Sequence, residues 1–149
     1  MMSGTHDCIL LVEDDPNDVF FMERAMAKSS LNLPMHVAEN GEEAIRYLDA
    51  DGKYADRQAY PIPCCVFLDL KMPFLSGFEV LEWVRAQPAF SDLPVIILTS
   101  SNEECDRERA FQLGANGYLT KPPSAKTLLE ILKPLPETAA THPCAQASP

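Results

Sequence analysis

The chain has 149 residues, a formal net charge of −10 at neutral pH and 46% apolar residues. That composition can fill one core of average domain size, which excludes a chain too polar to fold. No apolar run reaches membrane-spanning length, no basic segment followed by an apolar stretch opens the sequence, and the 12 basic residues are scattered, so membrane insertion, secretion and direct nucleic-acid binding are not expected.

Residues 1–7 read as a lead-in. Cys8-Ile9-Leu10-Leu11-Val12 is a strand-like apolar run, and it ends in Glu13-Asp14-Asp15. Asp15 before Pro16 suits an N-cap with proline in the first helical position, and Asp18 suits the first turn. Val19, Phe20, Met22, Ala25 and Met26 then give a helical apolar pattern to about Ser29. After a break at 32–34, Met35 to Ala38 is a short strand. Asn40-Gly41 opens a second helix with Ala44, Ile45 and Leu48 inward. Residues 50–61 have no clear period and read as a long surface connection.

Cys64-Cys65-Val66-Phe67-Leu68 reads as a strand buried on both faces, and Asp69 stands at its C-terminal end. Ser76-Gly77 opens a third helix through Phe78, Leu81 and Val84. Val95-Ile96-Ile97-Leu98 is a fourth strand, ending in Thr99-Ser100-Ser101. A helix from about Glu103 to Leu113 closes at Gly114. Gly117 to Leu119 is a fifth strand, ending in Thr120-Lys121-Pro122-Pro123. A last helix spans about 124–132, and residues 134–149, rich in Pro, Ala and Thr, read as a disordered tail. Strand and helix alternate without repeats, which predicts an α/β domain over 8–133 with a mostly parallel sheet and helices on both faces.

In a parallel sheet these strand ends share one rim, where ligands collect. Glu13, Asp14, Asp69, Thr99 and Lys121 would therefore meet. Three carboxylates packed together repel, and a hard divalent cation such as Mg²⁺ relieves that. Helix capping is a sufficient role for Asp15 and Asp18, but Glu13 and Asp14 precede the cap. A hydroxyl at Thr99 and an ammonium at Lys121 supply the opposite polarity, as transfer of a phosphoryl group to Asp69 requires. Taken singly, Thr99 could simply end a strand and Lys121 could be a solvated loop lysine. A proline after Lys121 permits a cis bond. The five cysteines include no CxxC pair, so zinc is not expected and a reducing cytoplasm fits best.

The runs 9–15, 68–73 with Gly77, 97–100 and 114–122 together resemble the response-regulator receiver domains of two-component signalling. The resemblance covers about residues 8–133. It implies a flavodoxin-like three-layer fold with a five-stranded parallel sheet of order 2-1-3-4-5. It implies that Asp69 accepts phosphate from a histidine kinase or phosphotransfer protein. Asp14, Asp69 and the Lys71 backbone carbonyl would hold Mg²⁺ (or Mn²⁺), with Glu13 acting through water. Thr99 and Lys121 would bind the phosphoryl oxygens, and Ser100 is the small residue that admits the donor. Thr99 and Tyr118 would form the switch, read out on the last two helices and strand five, where a homodimer could also form.

Some features narrow the expectation further. Lys71 and Ser101 are not residues that orient an attacking water, which implies a long-lived phosphoryl group. Lys71 also stands where related aspartate-nucleophile phosphohydrolases carry a second Asp, so a signalling domain is expected rather than an enzyme. Acids rather than a phosphate-cradling loop follow strand one, against flavin binding. The 50–61 connection resembles single-domain bacterial regulators paired with phytochrome-type kinases. Phe74-Leu75 could dock a partner or pack over its loop. A phosphorylation-independent adaptor that merely keeps the fold is the alternative.

Overall fold

The computed structural model describes residues 8–100 and 103–133. The expected lead-in at 1–7, the expected role of Ser101 and the tail at 134–149 lie outside the described residues. The strands are β1 (Ile9–Val12), β2 (Met35–Ala38), β3 (Cys65–Leu68), β4 (Val95–Thr99) and β5 (Gly117–Thr120). The helices are α1 (Pro16–Ser29), α2 (Gly41–Leu48), α3 (Gly77–Ala86), α4 (Glu104–Gln112) and α5 (Ala125–Leu132). The strands pair in parallel, in the order β2-β1-β3-β4-β5, as the resemblance implied.

Alternation along each strand divides the core between two faces. Leu10, Val12, Val66, Leu68, Val95 and Ile97 pack on α2 and α3, where Tyr47, Leu48, Val80, Leu81 and Val84 are buried. Ile9, Leu11, Cys65, Phe67, Ile96 and Leu98 point the other way, onto Met22, Ala25 and Met26 of α1 and Leu128 and Leu132 of α5. The central strands are buried on both sides, which is why they read as continuous apolar runs rather than alternating ones.

Local signals set the helix starts. Asp15 accepts a hydrogen bond from the Asn17 amide and Pro16 occupies the first turn. Ser76 and Glu79 form a reciprocal capping box. Gly77 is required by packing: a Cβ there would collide with the backbone carbonyl oxygen of Asp69 and lie 2.8 Å from Leu70 Cα. The start of α3 is thus pressed against the end of β3 at Asp69.

Two readings gain detail from the structure. Phe20 sits within the apolar pattern of α1 but is half-exposed; its ring lies beneath the Arg24 guanidinium, 5.7 Å away. The 50–61 connection does run largely over the surface, but it is packed. It contains a 3-10 turn, Gly52–Ala55, and Tyr54 is buried. The Tyr54 and Tyr60 rings meet at 4.9 Å, and each lies within 6 Å of Tyr47, at 5.3 Å and 5.7 Å. Arg57 donates to the carbonyls of Tyr47, Leu48 and Tyr60 at 2.9, 2.6 and 3.1 Å, satisfying the C-terminal carbonyls of α2 that a helix leaves open.

Helix α4 is seated differently from the others. Ala110 is its one buried residue. Its attachments are charged: Arg109 lies 4.2 Å from the Phe78 ring centroid, Arg107 lies over Tyr118, and Asp106 pairs with Lys71 at 3.6 Å. A helix held by such contacts instead of an apolar stripe belongs to the low-stability end of a fold.

Candidate functional site

The strand register brings the chemistry-bearing residues to one rim. Val12 pairs with Leu68 and Leu68 with Ile97, while Thr99 pairs with Thr120. Glu13, Asp69, Thr99 and Lys121 therefore emerge together at the C-terminal edge. The backbone is fixed there: the Asp69 amide donates to the Val12 carbonyl at 3.1 Å, and the Lys121 amide donates to the Thr99 carbonyl at 2.9 Å.

Glu13 and Asp69 are buried, with 2% and 5% of their surface exposed, and Thr99 is fully enclosed. Asp14 stands exposed at the mouth. Carboxylate oxygens of Glu13, Asp14 and Asp69 lie within 4.8 Å of one another. The Lys121 ammonium sits among acids: 2.6 Å from Glu13 Oε1, 2.7 Å from Asp18 Oδ2 and 3.5 Å from Asp69 Oδ1. The Lys121–Pro122 peptide is cis.

Burial dominates the electrostatics. It pushes the Glu13 carboxyl up to about 7, with the Asp69 charge adding to the rise and Lys121 opposing it. Burial also raises Asp69; the Lys121 ammonium and the Lys71 backbone amide pull against that, and Asp14 reinforces it. For Lys121 burial works against the charge, but Asp18, Glu13 and Asp69 outweigh it and raise the ammonium above its ordinary value.

This donor set fits a hard divalent cation. It offers carboxylate oxygens, partly buried and mutually repelling, open at Asp14. Glu13 Oε1 is buried 2.6 Å from the Lys121 ammonium, so the cation position and the lysine share this carboxylate.

The remaining predicted residues fall around this centre. Lys71 follows in the loop, its side chain exposed and paired with Asp106. Tyr118 is half-buried on β5, with the Arg107 guanidinium 5.6 Å from its ring centroid. Ser100 is exposed directly after β4. Phe74 and Leu75 part company: Leu75 packs on the core, whereas Phe74 is fully exposed with φ of 69°, a left-handed conformation unusual for an aromatic residue. Asp18 was missed. Its place in the first helical turn accounted for it, and the available signal was only that this turn directly follows the acidic rim.

A profile of the response regulator receiver domain matches residues 9–133. The chain belongs to that family. Among curated relatives, this receiver is 31% identical over 125 residues to the response regulator Rcp1 of Synechocystis sp., covering 84% of this chain and 83% of that protein. Among solved structures, the bacteriophytochrome response regulator AtBRR superposes with a TM-score of 0.75 at 35% identity, over 91% of this chain and 93% of AtBRR. The phosphorylated cyanobacterial phytochrome response regulator RcpA gives 0.73 at 33% identity, over 86% and 89%. A Mn²⁺-bound form of Rcp1 gives 0.71 at 28% identity, over 95% and 96%. The receiver is thus a two-component signalling domain of the CheY-like fold, and no described helix is long and apolar enough to cross a membrane.

Proposed function

We propose that this receiver, comprising residues 8–133, accepts a phosphoryl group on Asp69 from the phosphohistidine of a sensor kinase or phosphotransfer protein, the kinase being of the phytochrome type. The observation that carries the reading is the placement of Asp69: a buried carboxylate at the end of the central strand, with an ammonium 3.5 Å away. The similarity to regulators described as phytochrome partners supports the kinase class.

In the step proposed, an Asp69 carboxylate oxygen attacks phosphorus. The P–N bond breaks and its electron pair stays on the imidazole of the donor. Charge spreads over the phosphoryl oxygens, and the Lys121 ammonium and the Thr99 hydroxyl each hold one. Mg²⁺ or Mn²⁺, when bound by Asp14, Asp69 and the Lys71 carbonyl with Glu13 acting through water, supplies electrostatic stabilisation of the developing charge. The Mn²⁺-bound form of a relative supports a divalent cation at this centre.

Phosphorylation then biases two packings. Thr99 turns toward the phosphoryl group, Tyr118 turns into the space vacated, and α4, β5 and α5 change the surface offered to a partner or a second copy. The weakly seated α4 supports this reading.

Beryllofluoride, which mimics the phosphoryl group without needing a donor, tests the site. With Mg²⁺ it should shift the amide resonances of Asp69, Thr99 and Tyr118, and Asp69→Ala should abolish the shift. An unresponsive but folded wild-type protein would favour a phosphorylation-independent adaptor.

A further inference from the structure

Asp18 lies outside the acid cluster that faces the cation position, yet it makes one of the shortest contacts to Lys121. Its Oδ2 accepts a hydrogen bond from the ammonium at 2.7 Å. The two residues lie 103 positions apart in the chain, so the contact ties the first turn of α1 to the loop after β5. The side chain of Lys121 is 12% exposed and that of Asp18 28%, which leaves the pair only partly screened by water.

An ammonium has three donors and a long flexible stem. Here it is shared among Glu13 at 2.6 Å, Asp18 at 2.7 Å and Asp69 at 3.5 Å. The distance to Asp69 is too long for a good hydrogen bond. Asp18 therefore draws the ammonium toward α1 and away from the acceptor. Without it, the whole positive charge would fall on Glu13 and Asp69, two of the three carboxylates that would hold the divalent cation. An ammonium paired tightly with those oxygens competes with the metal for them.

We propose that Asp18 is a positioning residue: by holding Lys121 from the α1 side, it shares the ammonium with Glu13 and keeps it 3.5 Å from Asp69, so that the cation can bind and Asp69 stays available to a phosphoryl donor. The inference rests on the cation site and acceptor proposed above. It assigns Asp18 a role beyond helix-dipole compensation, which any acid in that turn would provide.

The consequence is a coupling between Asp18 and Lys121 that can be read without phosphorylation. Isothermal titration of the full chain with Mg²⁺ should give a dissociation constant about fivefold weaker for Asp18→Asn than for wild type, the scale expected for residues in one hydrogen-bond network. Lys121→Met should bind Mg²⁺ more tightly than wild type. In the Lys121→Met background, adding Asp18→Asn should change the affinity little, because the residue acts through the lysine. Asp18→Glu should recover part of the loss. Thermal melts of each variant control for folding.

An Asp18→Asn chain with wild-type Mg²⁺ affinity would overturn the role of Asp18 while leaving the site reading intact. So would an equal loss in both backgrounds, which is what a simple change in net charge would produce. No Mg²⁺ binding by the wild-type chain would overturn the cation site and the role of Asp18 together. Phosphorylation by acetyl phosphate separates the layers further. A slower rate at saturating donor, with metal also saturating, is expected for Asp18→Asn if the ammonium is misplaced.

Discussion

The Arg107 guanidinium of α4 lies 5.6 Å from the ring centroid of Tyr118 on β5. It also lies 5.6 Å from the Phe111 ring on its own helix. Ala110 is the one buried residue of α4, and this cation–π contact is one of the contacts that join the helix to the strand. Arg107→Ala should lower stability by about 0.5–1 kcal/mol. In a double-mutant cycle with Tyr118→Leu, urea denaturation should show the two changes to be less than additive. Amide exchange in α4 should be faster than in α3 and should rise further in Arg107→Ala.

Glu13 sets a pH dependence in the metal-free protein. Its carboxyl is held near 7 in the folded chain, against an ordinary value of 4.5. Between those values the folded state keeps a proton that the unfolded state has released. The contribution to stability is therefore full below the unfolded value and is lost as pH rises through the folded one. Asp69, also raised, acts in the same direction. With chelator present, stability from urea denaturation should fall between about pH 5 and pH 8 by up to about 3 kcal/mol from Glu13. Glu13→Gln should flatten much of that slope, and Mg²⁺ should reduce it.

The packed 50–61 segment makes its own prediction. Arg57 satisfies three carbonyls, those of Tyr47, Leu48 and Tyr60. Arg57→Ala leaves them without their charged donor, at a cost of about 1.5–3 kcal/mol. Near-UV circular dichroism should report loosening of the Tyr47, Tyr54 and Tyr60 rings. Tyr54→Phe removes only the hydroxyl that donates to Glu43 at 2.6 Å, and it should cost less.

Gly77 should couple stability to the proposed chemistry at Asp69. A methyl group there would press on the Asp69 carbonyl oxygen and on Leu70. Gly77→Ala should cost about 1–3 kcal/mol by overpacking. It should also slow phosphorylation by acetyl phosphate more than Ser76→Ala, which removes a cap without touching Asp69. Equal rates in the two variants would show that this contact does not position the acceptor.

These elements differ in how visible they were beforehand. Asp69, Glu13 and Thr99 were legible because each directly ends a doubly buried strand, and in a parallel sheet that position lies on the ligand-bearing rim. The capping residues Asp15, Asn40 and Ser76 were legible because they act within a few positions of themselves. The tyrosine stack was not. Tyr47, Tyr54 and Tyr60 share no helical or strand period, and only the fold brings their rings together. Phe20 misled because helical spacing shows that a residue lies near an apolar stripe, not how far its side chain turns from it. Asp18 was hidden by its own sufficiency as a first-turn acid: its partner Lys121 lies across the sheet edge, and no local pattern encodes that distance. The Lys71–Asp106 pair was hidden for the same reason.

The measurement closest to the central claim is intact-mass spectrometry of the chain after incubation with Mg²⁺ and acetyl phosphate, beside Asp69→Ala. The wild-type chain should gain one phosphoryl group, lost in the variant and in chelator. A gain that persists in Asp69→Ala, or is unaffected by removing the metal, would contradict it.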